Sequence, residues 1–243
     1  MRPAFRMSPA VLVLAAHGSA DPRAAITTHA VAEQIRRDRP GLGVRVAFCE
    51  RSTPNLRDVV ADVRSNAIVT PLLLADAYHA RVDIPAMLAD SGGVQADVLG
   101  EDHRLVTVLR QRVRELGVSR LDPDIGVVVV AVGSSRQVAN ARTAAVASAL
   151  AAGTRWAGAV TAFATGPQPS LGEATQRLRS MGARRVVVAP WFLAHGRITD
   201  RVTEFAAAQG IELAEPLGAH RLVAATVLDR FDRALAEANR HAA

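Results

Sequence analysis

Short apolar runs alternate with amphipathic stretches along the first half of the chain, and turn-forming residues separate them. Six apolar residues ending at His17-Gly18-Ser19 are typical of a strand that is buried on both faces. The pattern then predicts a helix over 24–38, a strand over 44–50, a helix over 53–65, a strand over 68–74, a helix over 84–90, a strand over 96–99 and a helix over 102–116. Such alternation predicts an α/β fold with a parallel sheet and crossover helices.

The whole pattern begins again after a break at Asp122-Pro123-Asp124. A strand predicted over 125–132 is followed by Gly133-Ser134, as the first strand is followed by Gly18-Ser19, at an offset of 115 residues (133 − 18). Other landmarks recur in the same order at similar offsets: Phe48 with Phe163, Pro54 with Pro169, Leu56 with Leu171, Pro71 with Pro190, and Leu99-Gly100 with Leu217-Gly218. The sequence therefore predicts a duplicated α/β unit, with one domain over 1–121 and a second over 122–243.

The duplication separates the residues that the fold needs from those that a functional site needs, because both copies must keep the fold. Three polar residues of the first copy are replaced in the second: His17 by Val132, Glu50 by Thr165, and His79 by Ile198. All three replacements occur in a copy that otherwise keeps the predicted elements and landmark residues of the first. We infer that the three polar residues act together, in the first copy only.

Each of these three residues lies at or just beyond the end of a different predicted strand. The carboxyl ends of parallel strands form the edge at which open α/β sheets bind ligands, and neighbouring strands lie about 4.8 Å apart. Two imidazoles and a carboxylate suit a divalent transition ion such as Fe²⁺, Co²⁺ or Ni²⁺, with positions left open for a substrate. The same set also suits acid–base chemistry, with Glu50 as the proton acceptor.

His195 lies near the corresponding edge of the second copy. It is out of register with His79, and the sequence pattern supplies no histidine or glutamate partner for it. We therefore expect a structural role for His195.

Composition narrows the classes of partner. The chain has a net charge of +6, and all its basic residues are arginines. Because these arginines alternate with Asp and Glu along predicted helices, they predict solvated faces rather than a nucleic-acid surface, although a few could hold a small polyanion.

The single cysteine, Cys49, excludes an intrachain disulfide and predicts a buried thiol and a reducing, cytoplasmic location. Neither residues 1–9 nor the run from Val11 is a long apolar segment, so we expect no association with a membrane.

The residues of the predicted site lie within longer motifs: Ala15-Ala16-His17-Gly18-Ser19, Ala47-Phe48-Cys49-Glu50, the segment from Pro71 through His79 to Asp83-Ile84-Pro85, and Leu99-Gly100. Together these motifs resemble the sirohydrochlorin chelatases, the class II tetrapyrrole chelatases of the cobalamin and siroheme pathways. The resemblance covers nearly the whole chain, because long members of that family are duplicated in the same way. It implies two flavodoxin-like units facing each other across a cleft. It also implies insertion of Co²⁺ or Fe²⁺ (Ni²⁺ stays open) into a tetrapyrrole without a nucleotide.

The resemblance also implies roles for particular residues. His17 and His79 would hold the incoming metal, and Glu50 would help to remove the pyrrole protons that the metal displaces. The ring carboxylates call for arginines, and several lie near predicted strand ends: Arg23, Arg51, Arg81, Arg136 and Arg197. Ser19 and Ser134 could add hydroxyl and backbone donors. We expect one active centre, with the second copy as the opposite wall, in a monomer or a homodimer.

Two other functions stay open at this stage. A carrier would bind the metal or the tetrapyrrole without accelerating insertion. A histidine phosphatase also places a histidine before glycine after its first strand, but that chemistry needs an arginine before the histidine, where this chain has Ala16. Nucleotide binding is disfavoured, because no Gly-x-Gly-x-x-Gly follows the first strand and a chain without lysine cannot form a Walker loop. A serine hydrolase would need a Gly-x-Ser-x-Gly elbow, which is absent from the sequence.

Overall fold

Two four-stranded parallel sheets, one in each half of the chain, form the framework of the protein. The computed structural model describes residues 10–242; the segment 1–9, for which no apolar targeting stretch is predicted, lies outside them. The first sheet has the order β2-β1-β3-β4, with strands β1 (Val11–Ala16), β2 (Gly43–Phe48), β3 (Ala67–Pro71) and β4 (Val94–Gln95). The second has the order β6-β5-β7-β8, with strands β5 (Ile125–Ala131), β6 (Gly158–Phe163), β7 (Arg185–Pro190) and β8 (Glu212–Leu213).

Helices connect the strands in both halves. They are α1 (Pro22–Asp38), α2 (Leu56–Val63), α3 (Ile84–Leu88), α4 (His103–Glu115), α5 (Gln137–Ala151), α6 (Leu171–Ser180), α7 (Arg197–Ala208) and α8 (Arg221–Ala242). Helix α1 begins two residues before the predicted range of 24–38, because the Asp21 side chain caps it by accepting the Arg23 N–H and Pro22 occupies its first turn. Among the helices that the structure describes, none has the length and apolar character needed to cross a membrane.

The two sheets have the same register, which confirms the duplication. Ala16 pairs with Phe48 as Ala131 pairs with Phe163, and Ala15 pairs with Pro71 as Val130 pairs with Pro190. The predicted α/β fold with parallel sheets is confirmed as well, and both strand orders follow the flavodoxin-like pattern.

The last helix of each half packs against the other half. Helix α4 packs on α5 and β7, whereas α8 packs on α1, β3 and β4. Arg112 of α4 donates to the carbonyl oxygens of Pro216 and Leu217, and Arg230 of α8 donates to those of Val98 and Leu99 in the equivalent places.

As a result, the largest cluster of buried apolar side chains runs through both halves without a break. The division into domains over 1–121 and 122–243 stays a prediction, because the last helix of each range packs against the other range.

Several predicted boundaries were wrong, for local reasons. The strand predicted over 96–99 is displaced to β4, although the Ala96 and Leu99 N–H groups still bond to carbonyls of the neighbouring strand and loop. The strand predicted over 44–50 ends at Phe48, and the helix predicted from residue 53 begins only at Leu56, because Asn55 caps it. The segment 75–83, for which no helix was predicted, ends in one turn of π-helix, His79–Asp83, which runs directly into α3.

Candidate functional site

The three polar residues that lack counterparts in the second half follow three adjacent strands. His17 comes directly after β1, Glu50 two residues after β2, and His79 in the turn beyond β3. Because β1 lies between β2 and β3, the ends of these strands are neighbours at one edge of the sheet. The backbone also ties two of the residues together, since the Glu50 N–H donates to the His17 carbonyl at 3.0 Å.

Gly18 allows the β1 and β2 loops to approach this closely. Its φ is +91°, and a Cβ there would lie 1.7 Å from the carbonyl oxygen of Glu50. Gly133 has the same role in the second half, with φ of +95° and a carbonyl oxygen, that of Gly166, 1.8 Å from a Cβ placed there. Glycine is therefore needed by the fold in both halves, whereas the histidine before Gly18 is not.

His79 begins the π-helical turn, and this local geometry gives it a partner. Its Nδ1 lies 2.5 Å from a carboxylate oxygen of Asp83, four residues further on. Since a carboxylate only accepts, His79 donates through Nδ1–H and its Nε2 keeps the lone pair available for a metal. Single π-helical turns are often found at functional sites.

The structure brings His17, Glu50 and His79 together. The two imidazole rings lie 3.9 Å apart between centroids, and His17 Nε2 is 3.5 Å from Glu50 Oε1. Among residues 10–242, however, no group of three or more His, Cys, Asp or Glu side chains is already arranged to hold a metal ion. The predicted three-ligand set is thus assembled as neighbours but does not form a closed metal site.

Burial tunes one of the imidazoles. Desolvation lowers the pKa of His17, and the neighbouring His79 lowers it further. A lowered pKa keeps the imidazole of His17 neutral at neutral pH, and the neutral form is the one that binds metal ions.

The site opens into a cleft between the two halves. One cavity of about 430 Å³ is lined by His17, Ser19, Glu50 and Arg51, and an adjoining cavity of about 440 Å³ is lined by His17 and His79. Apolar side chains of the second half line both cavities: Val132, Phe192, Leu193 and Ile198. Val132 is the counterpart of His17 and is 40% exposed, so the replacement places an apolar surface at the wall of the cleft.

The two serines of the predicted site already use their backbone donors within the protein. The Ser19 N–H donates to Ser52 Oγ, and the Ser134 N–H donates to Asn140 Oδ1. Each serine hydroxyl also accepts the backbone N–H of the residue two positions on. Both serines line the cleft, but their backbone N–H groups are not available to a ligand as predicted.

The predicted arginines are placed differently. Arg51 lies in the cleft and donates to Glu50 at 3.0 Å, in a strained conformation with φ of +59°. Arg81 is bound to Asp76 and lines a neighbouring groove rather than the two cavities at the histidines. Arg197 lines the same cavity as Arg51, and it is the arginine that the second half contributes there.

We expected a structural role for His195 on the premise that it has no histidine or glutamate partner, and that premise was wrong. Its Nε2 lies 2.8 Å from Glu215 Oε2, and His195 lines the same cavity as His17 and Glu50. The partner was missed because Glu215 follows β8, twenty positions further along the chain (215 − 195), and only the adjacency of β7 and β8 brings the two together. Asp83 was missed as well, although its i,i+4 spacing from His79 was a usable signal.

The chain belongs to the CbiX family, whose sequence model matches residues 11–116 and again residues 126–234. This confirms the predicted family. The sirohydrochlorin cobaltochelatase of Priestia megaterium is 26% identical over 174 residues, which are 66% of this chain and 57% of that protein. The sirohydrochlorin cobaltochelatase of Sulfurisphaera tokodaii is 34% identical over 80 residues, which are 30% of this chain and 67% of that protein. The chain thus spans little more than half the length of the first of these relatives.

Solved structures share the fold. SirB from Bacillus subtilis, determined with Fe³⁺, matches with a TM-score of 0.80 at 20% identity, over 96% of this chain and 98% of that one. The sirohydrochlorin chelatase SirB from Bacillus subtilis subspecies spizizenii, in complex with cobalt, matches with a TM-score of 0.75 at 18% identity, over 93% of this chain and 95% of that one. The two-sheet architecture is therefore shared with these proteins.

Proposed function

We propose that this protein is a metal chelatase that inserts Co²⁺ or Fe²⁺ into sirohydrochlorin or a closely related tetrapyrrole. The observation that carries the proposal is the pair of imidazoles of His17 and His79, 3.9 Å apart between ring centroids, beside Glu50 in the cleft between the halves. The family and the names of the relatives support the same reaction.

The open arrangement of the three side chains suits a metal that is a substrate. A chelatase must accept a hydrated ion, strip its water and release it to the ring nitrogens, so a closed shell of protein ligands would hold it too tightly. Two neutral imidazoles exchange a borderline divalent ion readily. In our proposal His17 and His79 receive the ion, and Asp83 orients the His79 ring so that Nε2 is available.

The two halves contribute different surfaces to the proposed substrate site. The first half supplies the donors, and the second supplies the apolar side chains Val132, Phe192 and Ile198, against which one face of a macrocycle would pack. Arg51 and Arg197, at the cavity that contains His17, are the side chains we propose to pair with ring carboxylates. This gives one active centre for the whole chain, with Glu50 accepting a pyrrole proton.

The test is metal insertion followed by visible absorption, with purified protein, sirohydrochlorin and either Co²⁺ or Fe²⁺. The wild-type protein is expected to accelerate insertion of at least one of these ions over the spontaneous rate, and a parallel series with Ni²⁺ shows the order of preference. His17→Ala and His79→Ala should each lose most of the acceleration, because each removes one of the two imidazoles.

His103→Ala is the matched control, since His103 is 83% exposed at the start of α4, outside the two cavities. Its rate should equal that of the wild type. Binding of cobalt and tetrapyrrole without any acceleration by the wild type would instead identify a carrier. Equal rates for the wild type and both cleft-histidine variants would contradict the assignment of the site.

A further inference from the structure

Metal insertion releases more protons than the site residues of the first half can accept by themselves. A divalent ion replaces two pyrrole N–H protons, so two protons must leave the ring. The imidazoles of His17 and His79 are occupied by the metal in the proposed reaction. The remaining group, Glu50, is a single carboxylate, and its Oε1 already accepts a hydrogen bond from the Arg51 guanidinium at 3.0 Å.

A third imidazole, that of His195, lines the cleft in the described part of the chain. It follows β7 in the second half and lines the cavity of about 430 Å³ that His17 and Glu50 also line. The sequence places it at the position equivalent to Asp76, with the same 119-residue offset that relates Pro71 to Pro190 (195 − 76). His195 is therefore not a remnant of a lost metal ligand, because the equivalent position in the first half carries no histidine.

The contact with Glu215 defines which nitrogen of His195 can take a proton. A carboxylate accepts only, so the 2.8 Å contact means that Nε2–H donates to Glu215 and that Nδ1 keeps its lone pair. Arg197 lines the same cavity, and the carboxylate of Asp200, which interacts with the charge of His195, is itself bound by Arg23 of the first half. The side chain of His195 is 43% exposed, which leaves a path from the ring to solvent.

We propose that His195, with Glu215 behind it, is the second proton acceptor of the insertion reaction; this inference rests on the proposed chelatase function. A pyrrole N–H bond breaks, its electron pair stays on nitrogen and forms the nitrogen–metal bond, and the proton moves to Nδ1 of His195. Glu215 balances the charge of the imidazolium, which then passes its proton to water. The second half thus supplies a base as well as a wall.

The experiment measures steady-state insertion of Co²⁺ into sirohydrochlorin for the wild type, His195→Ala, His195→Gln and Glu215→Gln, with His103→Ala as control. Loss of a positioned base lowers a rate by about 10²-fold or more, so kcat of both His195 variants is expected to fall by roughly that factor. Their KM values for Co²⁺ and for sirohydrochlorin should stay close to those of the wild type. Glu215→Gln should lower kcat less, because the base is kept and only its charge partner is lost.

Added imidazole should restore part of the rate of His195→Ala, and thermal unfolding of each variant shows that it is folded. Unchanged kcat in both His195 variants overturns the inference while leaving the chelatase proposal standing. A loss that imidazole does not restore, together with a raised KM for Co²⁺, also overturns it, because it identifies His195 as a metal-binding group. A wild-type protein that inserts no metal refutes the chelatase proposal, a result distinct from both.

Discussion

The exchange of the last helices leads to a specific prediction about Arg230. This side chain of α8 is 12% exposed, donates to the carbonyls of Val98 and Leu99 at 3.0 Å each, and pairs with Asp102 at 2.9 Å. Asp102 caps α4, so Arg230, from the opposite half, joins the segment that follows β4 to the start of α4. Because this contact fastens α8 to the first half, its loss should loosen the walls of the cleft.

Arg230→Ala removes the charged partner of the buried Asp102 carboxylate, the donor to its Oδ2, and the donor to two carbonyl oxygens. Breaking a buried ion pair by removing one partner costs about 3–5 kcal/mol of unfolding free energy, and that range already includes unsatisfied neighbours. With a urea dependence of about 3 kcal/mol per molar for a chain of this size, the unfolding midpoint should fall by roughly 1–2 M. Equilibrium unfolding in urea, followed by circular dichroism, measures this shift.

Arg233→Ala on the same helix is the matched control. Arg233 is 62% exposed, and its ion-pair partner within residues 10–242 is Asp229, at 3.1 Å, four residues before it. An exposed pair of this kind contributes about 0–1 kcal/mol, so the control should unfold close to the wild type. The two halves should also unfold in one transition, because their core is continuous. Equal midpoints for the two variants would refute the proposed role of the exchanged helix.

Three further predictions concern the site and its frame. Asp83→Asn removes the charge that orients His79, so Co²⁺ affinity measured by titration should fall by about 10–100-fold, and an unchanged affinity would contradict the orienting role. Gly18→Ala combines a left-handed backbone with a clash against the neighbouring loop, so it should destabilise the protein by about 2–5 kcal/mol in urea unfolding. The control Gly41→Ala, with φ of +89° and open space around it, should cost only about 1–2 kcal/mol. Equal costs for the two variants would show that the clash at Gly18 is relieved. Burial raises the pKa of Cys49 to about 11, so the thiolate is scarce at pH 8 and a disulfide reagent should label the native protein far more slowly than the urea-unfolded protein; fast native labelling would show an accessible thiol.

The local pattern of apolar and polar residues was enough to predict the helices and strands, because strands buried on both faces and capped helices have short-range signals. It failed at boundaries that distant contacts decide. Strand β4 has two residues, which pair with Ile68 and Val69, and the π-helical turn at His79 runs directly into α3. Neither feature is visible in periodicity.

The duplication was the strongest signal in the sequence. Comparison of the two copies predicted which polar residues the fold does not need, and the structure brings His17, Glu50 and His79 to one place. The roles of these residues stay predictions until variants are measured. Ser19, which the second copy keeps as Ser134, fared less well as a ligand-binding candidate, because its backbone N–H already donates to Ser52.

By itself, the sequence determined the α/β class, the two copies and the unequal distribution of histidines between them, since these depend on residue order and period. The tertiary structure alone decided that each half gives its last helix to the other and that His195 meets Glu215 in the cleft. Those contacts join residues that only strand order and helix packing bring together, and no local preference of the chain encodes them.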